Sequence, residues 1–145
     1  FKVMKIVKLR LLIILGAVLF TSCINDDMPK MADASSILGN WKQTEAFISS
    51  GGPQYWVDIE NGEEINFFED RTFSSDRYPE CSSGNFMIEE NKLIMEYSCL
   101  DFNPMAQNED GLITYDLELY NDNFILTPTS GPLCIEGCSY KYQHR

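Results

Sequence analysis

From Asn40 to the end of the chain, apolar residues recur at every second position in short runs, and turn signals break the runs apart. This pattern constrains the fold more than any other feature. Residues 40–48 alternate, with Trp41, Gln43, Glu45 and Phe47 on one face and Lys42, Thr44, Ala46 and Ile48 on the other. Ser49-Ser50-Gly51-Gly52-Pro53 ends that run, and the short aromatic stretch Tyr55 to Ile59 follows. Asn61-Gly62 is a tight-turn signal. Glu64 to Phe68 and Thr72 to Ser74 read as a hairpin around Glu69-Asp70-Arg71. In a second hairpin, 84–98, Phe86-Met87-Ile88 faces Leu93-Ile94-Met95. Residues 100–110 form a loop containing Pro104. Beyond it, Ile113, Tyr115, Leu117 and Leu119 alternate with Thr114, Asp116, Glu118 and Tyr120. Phe124 to Thr127 and Ser139 to Gln143 complete the series. No helix-length window after Cys23 keeps an apolar stripe, although residues 31–38 could form one short helical turn before Gly39. About eight short strands at roughly 8–12-residue spacing predict an all-β fold. The expected architecture is an eight-stranded up-and-down antiparallel β-barrel, with a β-sandwich as the alternative.

The first residues are of a different kind. Lys2, Lys5, Lys8 and Arg10 precede the apolar run Leu11 to Phe20, and Thr21 and Ser22 lead into Cys23. That is the order of a basic n-region, an apolar h-region and a small-residue cleavage site. The run is about ten residues, whereas a membrane span needs about 20. A cysteine directly after such a site resembles the lipobox of bacterial lipoproteins, in which that thiol is diacylated and becomes the mature N-terminus. The resemblance implies a lipid anchor at Cys23, and Ile24 after it resembles lipoproteins sent on to an outer membrane. Phe1 is no initiator, and Met4 is a natural alternative start. Residues 1–22 therefore read as a lipoprotein signal peptide, 23–36 as a flexible tether and 37–145 as the barrel domain.

The expected mature chain, about 120 residues, suffices for one core. Removing the four positive charges of residues 1–22 takes the net charge from −11 to −15. So acidic a surface repels nucleic acid and anionic lipid headgroups, and a soluble surface explains it without a dedicated partner. With Cys23 assigned to lipid, Cys81, Cys99, Cys134 and Cys138 form an even set in an oxidising compartment, which favours disulfides. If Ile88 lies opposite Leu93, Cys81 and Cys99 fall nearly opposite each other at the open end of the hairpin. That predicts Cys81–Cys99 and leaves Cys134–Cys138 for a short loop around Gly137. The spacing suits zinc poorly.

Several segments carry a family likeness. Ile37-Leu38-Gly39-Asn40-Trp41 resembles the G-x-W opening of lipocalins, in which the tryptophan packs across the closed end of the barrel. In order after it come Ile65 to Phe73, a strand, an acidic turn and T-F; Gly84 to Leu93, a hairpin opening on G-x-aromatic; Tyr115 to Thr127, paired strands; and Tyr140-Lys141-Tyr142, a closing aromatic strand. Together these resemble the lipocalin-like domains of Bacteroidetes lipoproteins, over the chain from Ile37 onward. The resemblance implies a barrel; it implies little about a ligand.

Catalytic constellations are sparse. The only histidine is His144, and a chain terminus is a poor place to hold a general base. Neither a phosphate-binding glycine loop nor a zinc-protease motif occurs. The acid pairs Glu63-Glu64, Glu89-Glu90 and Glu109-Asp110 lie at turns, where solvated carboxylates are expected. Asp101-Phe102-Asn103 and Asn121-Asp122-Asn123 lack the rest of a calcium loop. The expectation is a non-catalytic protein with no cofactor and no metal. Aromatic residues are the better clue. Trp41, Phe47, Phe67, Phe86, Tyr115, Phe124, Tyr140 and Tyr142 can line an interior, and Tyr55, Trp56, Tyr78 and Phe102 can rim its mouth. Of these, Trp41, Phe67, Phe86, Tyr115, Phe124 and Tyr140 are the expected contacts for a small apolar or amphipathic ligand. The alternative is a filled barrel that acts as a protein-interaction or structural module of the cell envelope.

Overall fold

The computed structural model describes residues 28–131 and 138–145. The signal segment, Cys23 and Cys134 lie outside the described residues. A 3-10 helix, Ala34–Ile37, is followed by nine strands: β1 Gly39–Ile48, β2 Tyr55–Asp58, β3 Glu64–Phe67, β4 Thr72–Ser75, β5 Ser83–Glu89, β6 Lys92–Tyr97, β7 Ile113–Leu119, β8 Asn123–Pro128 and β9 Ser139–His144. Every pairing is antiparallel. The order runs β1-β3-β4-β5-β6-β7-β8-β9, and β9 pairs back onto β1. The result is an eight-stranded closed barrel with one extra strand outside the ring, β2. Closure removes the unpaired edges that an open sheet of short strands would expose.

β2 stands outside for a reason visible in the register. β1 pairs with β9 along one edge from Trp41 to Phe47. Its other edge pairs with β3 from Gly39 to Lys42 and with β2 from Glu45 to Ile48. β2 and β3 therefore lie end to end beside β1, and only β3 continues into the ring.

The alternation in β1 does not run through as its sequence suggests. A register shift between Gln43 and Glu45 marks a bulge, and one extra residue reverses which side chains point inward. Trp41 is buried before the bulge and Ala46 after it. Phe47, expected inside, instead packs against Trp56 on the outer hairpin, ring centroids 5.1 Å apart. The other strands keep their parity: Ile65 and Phe67, Phe73 and Ser75, Leu93, Met95 and Tyr97, and Ile113, Tyr115, Leu117 and Leu119 all turn inward. Ile88 pairs with Leu93, as the hairpin reading requires. The Cys81–Cys99 disulfide is formed, and Cys138 is disulfide-bonded too.

The two ends of the barrel differ. At the turn end the connections are short: residues 68–71, 90–91 and 120–122. Arg71, Glu90 and Asn91 adopt the left-handed backbone such turns demand. The 3-10 helix sits here, capped by Asp33, whose side chain accepts from the Ser36 N–H. Its Ile37 carbonyl accepts from Trp41 Nε1 at 2.8 Å. Residues 30–36, expected as part of a free tether, lie against the barrel: the Lys30 N–H donates to the Leu119 carbonyl and the Ala32 N–H to Asn91 Oδ1. His144 lies in a paired strand, and its ring meets Trp41 edge-on at 4.9 Å. Gly39, with φ +108°, faces the His144 imidazole so closely that a Cβ there would lie 2.9 Å from Nε2. At the opposite, loop end, the longer segments 76–82, 98–112 and 129–138 connect the strands.

Candidate functional site

The six aromatic residues expected to contact a ligand fall into two groups. Trp41, Phe67, Phe86 and Phe124 belong to the turn-end core. Trp41 and Phe124 are 4.7 Å apart, Phe67 and Phe86 4.8 Å, and Phe124 stacks on Tyr142 at 4.9 Å. All four are essentially buried, and the space between them is taken up by one another. Tyr115 and Tyr140 lie nearer the loop end, in a setting of another kind.

That setting is built around Glu63 and Arg77. Gly62 crosses β1 so closely that a Cβ would stand 2.0 Å from the Gln43 carbonyl oxygen. The crossing is held by the Gln43 N–H, which donates to the Glu63 carbonyl at 2.8 Å. It sends the Glu63 side chain into the barrel, where only 7% of it is exposed. Arg77 enters from the 76–82 loop, and its Nε donates to Glu63 Oε2 at 2.8 Å. Tyr142 Oη donates to the same oxygen, and Ser75 Oγ donates to Oε1. An Arg77 terminal nitrogen reaches Tyr142 Oη at 3.3 Å, and the guanidinium lies over the Tyr140 ring at 5.0 Å. A buried carboxylate persists only when ion pairing and hydrogen bonds replace its water, and both Glu63 oxygens are so served. Among the described residues no buried side-chain nitrogen or oxygen lacks a partner.

Tyrosines surround the pair. Burial disfavours the phenolate and pushes the Tyr97, Tyr115 and Tyr142 hydroxyls well above the ordinary tyrosine value, and the negative charge of Glu63 adds to the effect. Tyr78 is raised for the same first reason, with Arg77 acting against it. Burial works against the Arg77 charge, yet the Glu63 carboxylate outweighs it and keeps the guanidinium protonated. Tyr78, Tyr97 and Phe102 form a three-ring cluster with centroids 5.0–5.3 Å apart. The Cys81–Cys99 disulfide ties together the two loops that carry Tyr78 and Phe102. Tyr78 and Phe102, expected at a rim, thus cover the loop end. Tyr55 and Trp56 lie on the outer hairpin, partly exposed.

Sequence reasoning passed over Glu63 and Arg77, although a signal existed. Glu63 shares the parity of the inward Ile65 and Phe67, and Arg77 shares that of Phe73 and Ser75. Extending β3 back by one residue and β4 forward by two places both inside. The Glu63-Glu64 pair was expected in solvent; only Glu64 faces out, where it meets Lys42 and Arg145. A separate open groove of about 470 Å³ runs along the outer wall of β3 and β4, lined by Asn40, Glu64, Asn66, Ser74, Asp76 and Ser82 among others. Its volume suits a small molecule, but it lies outside the barrel. Among the described residues no group of three or more His, Cys, Asp or Glu side chains is placed to hold a metal ion.

Compared with known proteins, the chain matches no protein-family model and no curated sequence.

Proposed function

We propose that the protein is an envelope lipoprotein, acylated at Cys23 in an outer membrane, whose lipocalin-like barrel binds a small amphipathic molecule at its loop end without chemistry. The observation that carries this reading is the Arg77–Glu63 pair inside an aromatic wall of Tyr78, Tyr97, Tyr115, Tyr140 and Tyr142. A barrel filled only for stability needs no ion pair there, since apolar side chains of similar volume are commonly as stabilising. Small-molecule sites, by contrast, set a few oriented polar groups against apolar walls. The ligand's apolar part would rest on the Tyr78, Tyr97 and Phe102 rings and its polar end on Arg77 and the nearby hydroxyls.

Native mass spectrometry of the protein purified from its host tests this. The expected result is a non-covalent added mass that organic extraction removes. The proposal fails if the native protein carries none and a structure of the same preparation shows Tyr78 and Phe102 packed as they are here.

The second reading, a filled barrel that docks another envelope protein, has its own support. The turn-end interior is occupied by side chains, while Leu100 and Met105 are 92% and 83% exposed on the 98–112 loop. Exposed apolar residues close together on one loop suit a protein partner.

A further inference from the structure

We infer that the turn end of the barrel faces the bilayer that anchors the chain and that the ligand-bearing loop end faces away from it. The inference rests on acylation of Cys23. The N-terminal arm is fastened to one end only. Lys30 bridges Leu119, the last residue of β7, and its N–H donates to the Leu119 carbonyl at 2.7 Å. Lys30 Nζ reaches Asn121 Oδ1 in the β7–β8 turn. The Ala32 N–H reaches Asn91 Oδ1, 2.8 Å away in the β5–β6 turn.

Lys30 lies only seven positions beyond Cys23, and fully extended those seven steps span at most about 25 Å. The wall they would have to climb is of similar height: the 10 residues of β1, tilted as barrel strands are, rise about 25 Å. Turning the loop end to the membrane would use up the whole tether at full stretch along the barrel. With the turn end down, no such stretch is required.

The turn end presents apolar side chains that a lipid surface can accept, as the loop end does with Leu100 and Met105, so the direction is set by the tether. Met28 and Met31 are 73% and 80% exposed, and Phe68 in the β3–β4 turn is 42% exposed. The acidic chain gives no electrostatic hold on anionic lipid, so the anchor and the point where its tether is fastened set the orientation. A ligand consequently reaches the loop end from the aqueous side or from a partner facing the anchoring leaflet, not from that leaflet.

The two tryptophans report the orientation directly. Trp41 lies at the turn end, and Trp56 pairs with Phe47 at the far end of β1. Full-length acylated protein is reconstituted into phosphatidylcholine vesicles bearing a dansylated headgroup as energy acceptor. Transfer efficiency, referred to vesicles without acceptor, is compared between wild type and Trp56→Phe. The mass of the Cys23 peptide is measured in the same preparation. Higher efficiency in Trp56→Phe, where Trp41 alone donates, supports the orientation. Equal or lower efficiency with Cys23 acylated overturns the orientation and leaves the lipoprotein reading standing. An unmodified Cys23 overturns both.

Discussion

Glu63 shows how one residue's meaning changes between the sequence and the fold. As half of an acid pair after Asn61-Gly62 it looks solvated; in the barrel it accepts hydrogen bonds from Arg77, Tyr142 and Ser75. The parity that would have placed it inside was present, but a strand's end is where alternation is least trusted, and a charged side chain argues against burial unless its partner is known. That partner, Arg77, lies in another loop. The tyrosines around the pair make a prediction about pH. Folded Tyr97, Tyr115 and Tyr142 hold their protons above the ordinary value because burial penalises the phenolate. In the unfolded chain they titrate at about 10. Above that pH the unfolded state releases protons that the folded state keeps, so their stabilising contribution is complete below about pH 10 and is lost as pH rises further. Tm should fall steeply above pH 10, and tyrosinate absorbance from these three should appear only together with unfolding. Full tyrosine ionisation in a chain that retains its folded circular dichroism would refute this.

At the scale of elements, the β5–β6 hairpin and β7 were legible because each follows a single period and local turn chemistry. The hairpin register even led to the Cys81–Cys99 disulfide, since it brings the flanking residues together. β1 was misread in its second half because a bulge is set by what lies on either side of the strand. β9 pairs along one edge while β3 gives way to β2 along the other. A test follows from the reversal of faces at the bulge. Phe124→Ala removes a fully buried ring and should cost about 3–5 kcal/mol. Phe47→Ala, which by uninterrupted alternation would be as severe, loses mainly the outer contact with Trp56 and should cost about 0.5–1.5 kcal/mol. Chemical denaturation of the two variants measures the difference, and equal losses would return Phe47 to the interior.

For the whole molecule, the decisive contact is between the first and last strands of the ring. Removing residues 139–145 takes away β9, leaves β1 and β8 with unpaired edges, and deprives Glu63 of Tyr142. Such a chain should aggregate in size-exclusion chromatography and lose its near-ultraviolet circular dichroism; a monomer with that signal intact would show that closure is dispensable. That the chain is all-β, where most strands begin and end, and which face of most of them is apolar are all legible in short stretches of residues. Those properties depend on neighbours one to four positions away. That β2 stays outside the ring, that Phe47 turns out where β1 bulges, and that residues 30–36 lie on the turn end follow from long-range pairing alone. So does the meeting of Glu63 and Arg77 beside Tyr140 and Tyr142. Each depends on partners distant along the chain, Glu63 with Tyr142 and Lys30 with Leu119, and no local period carries that information.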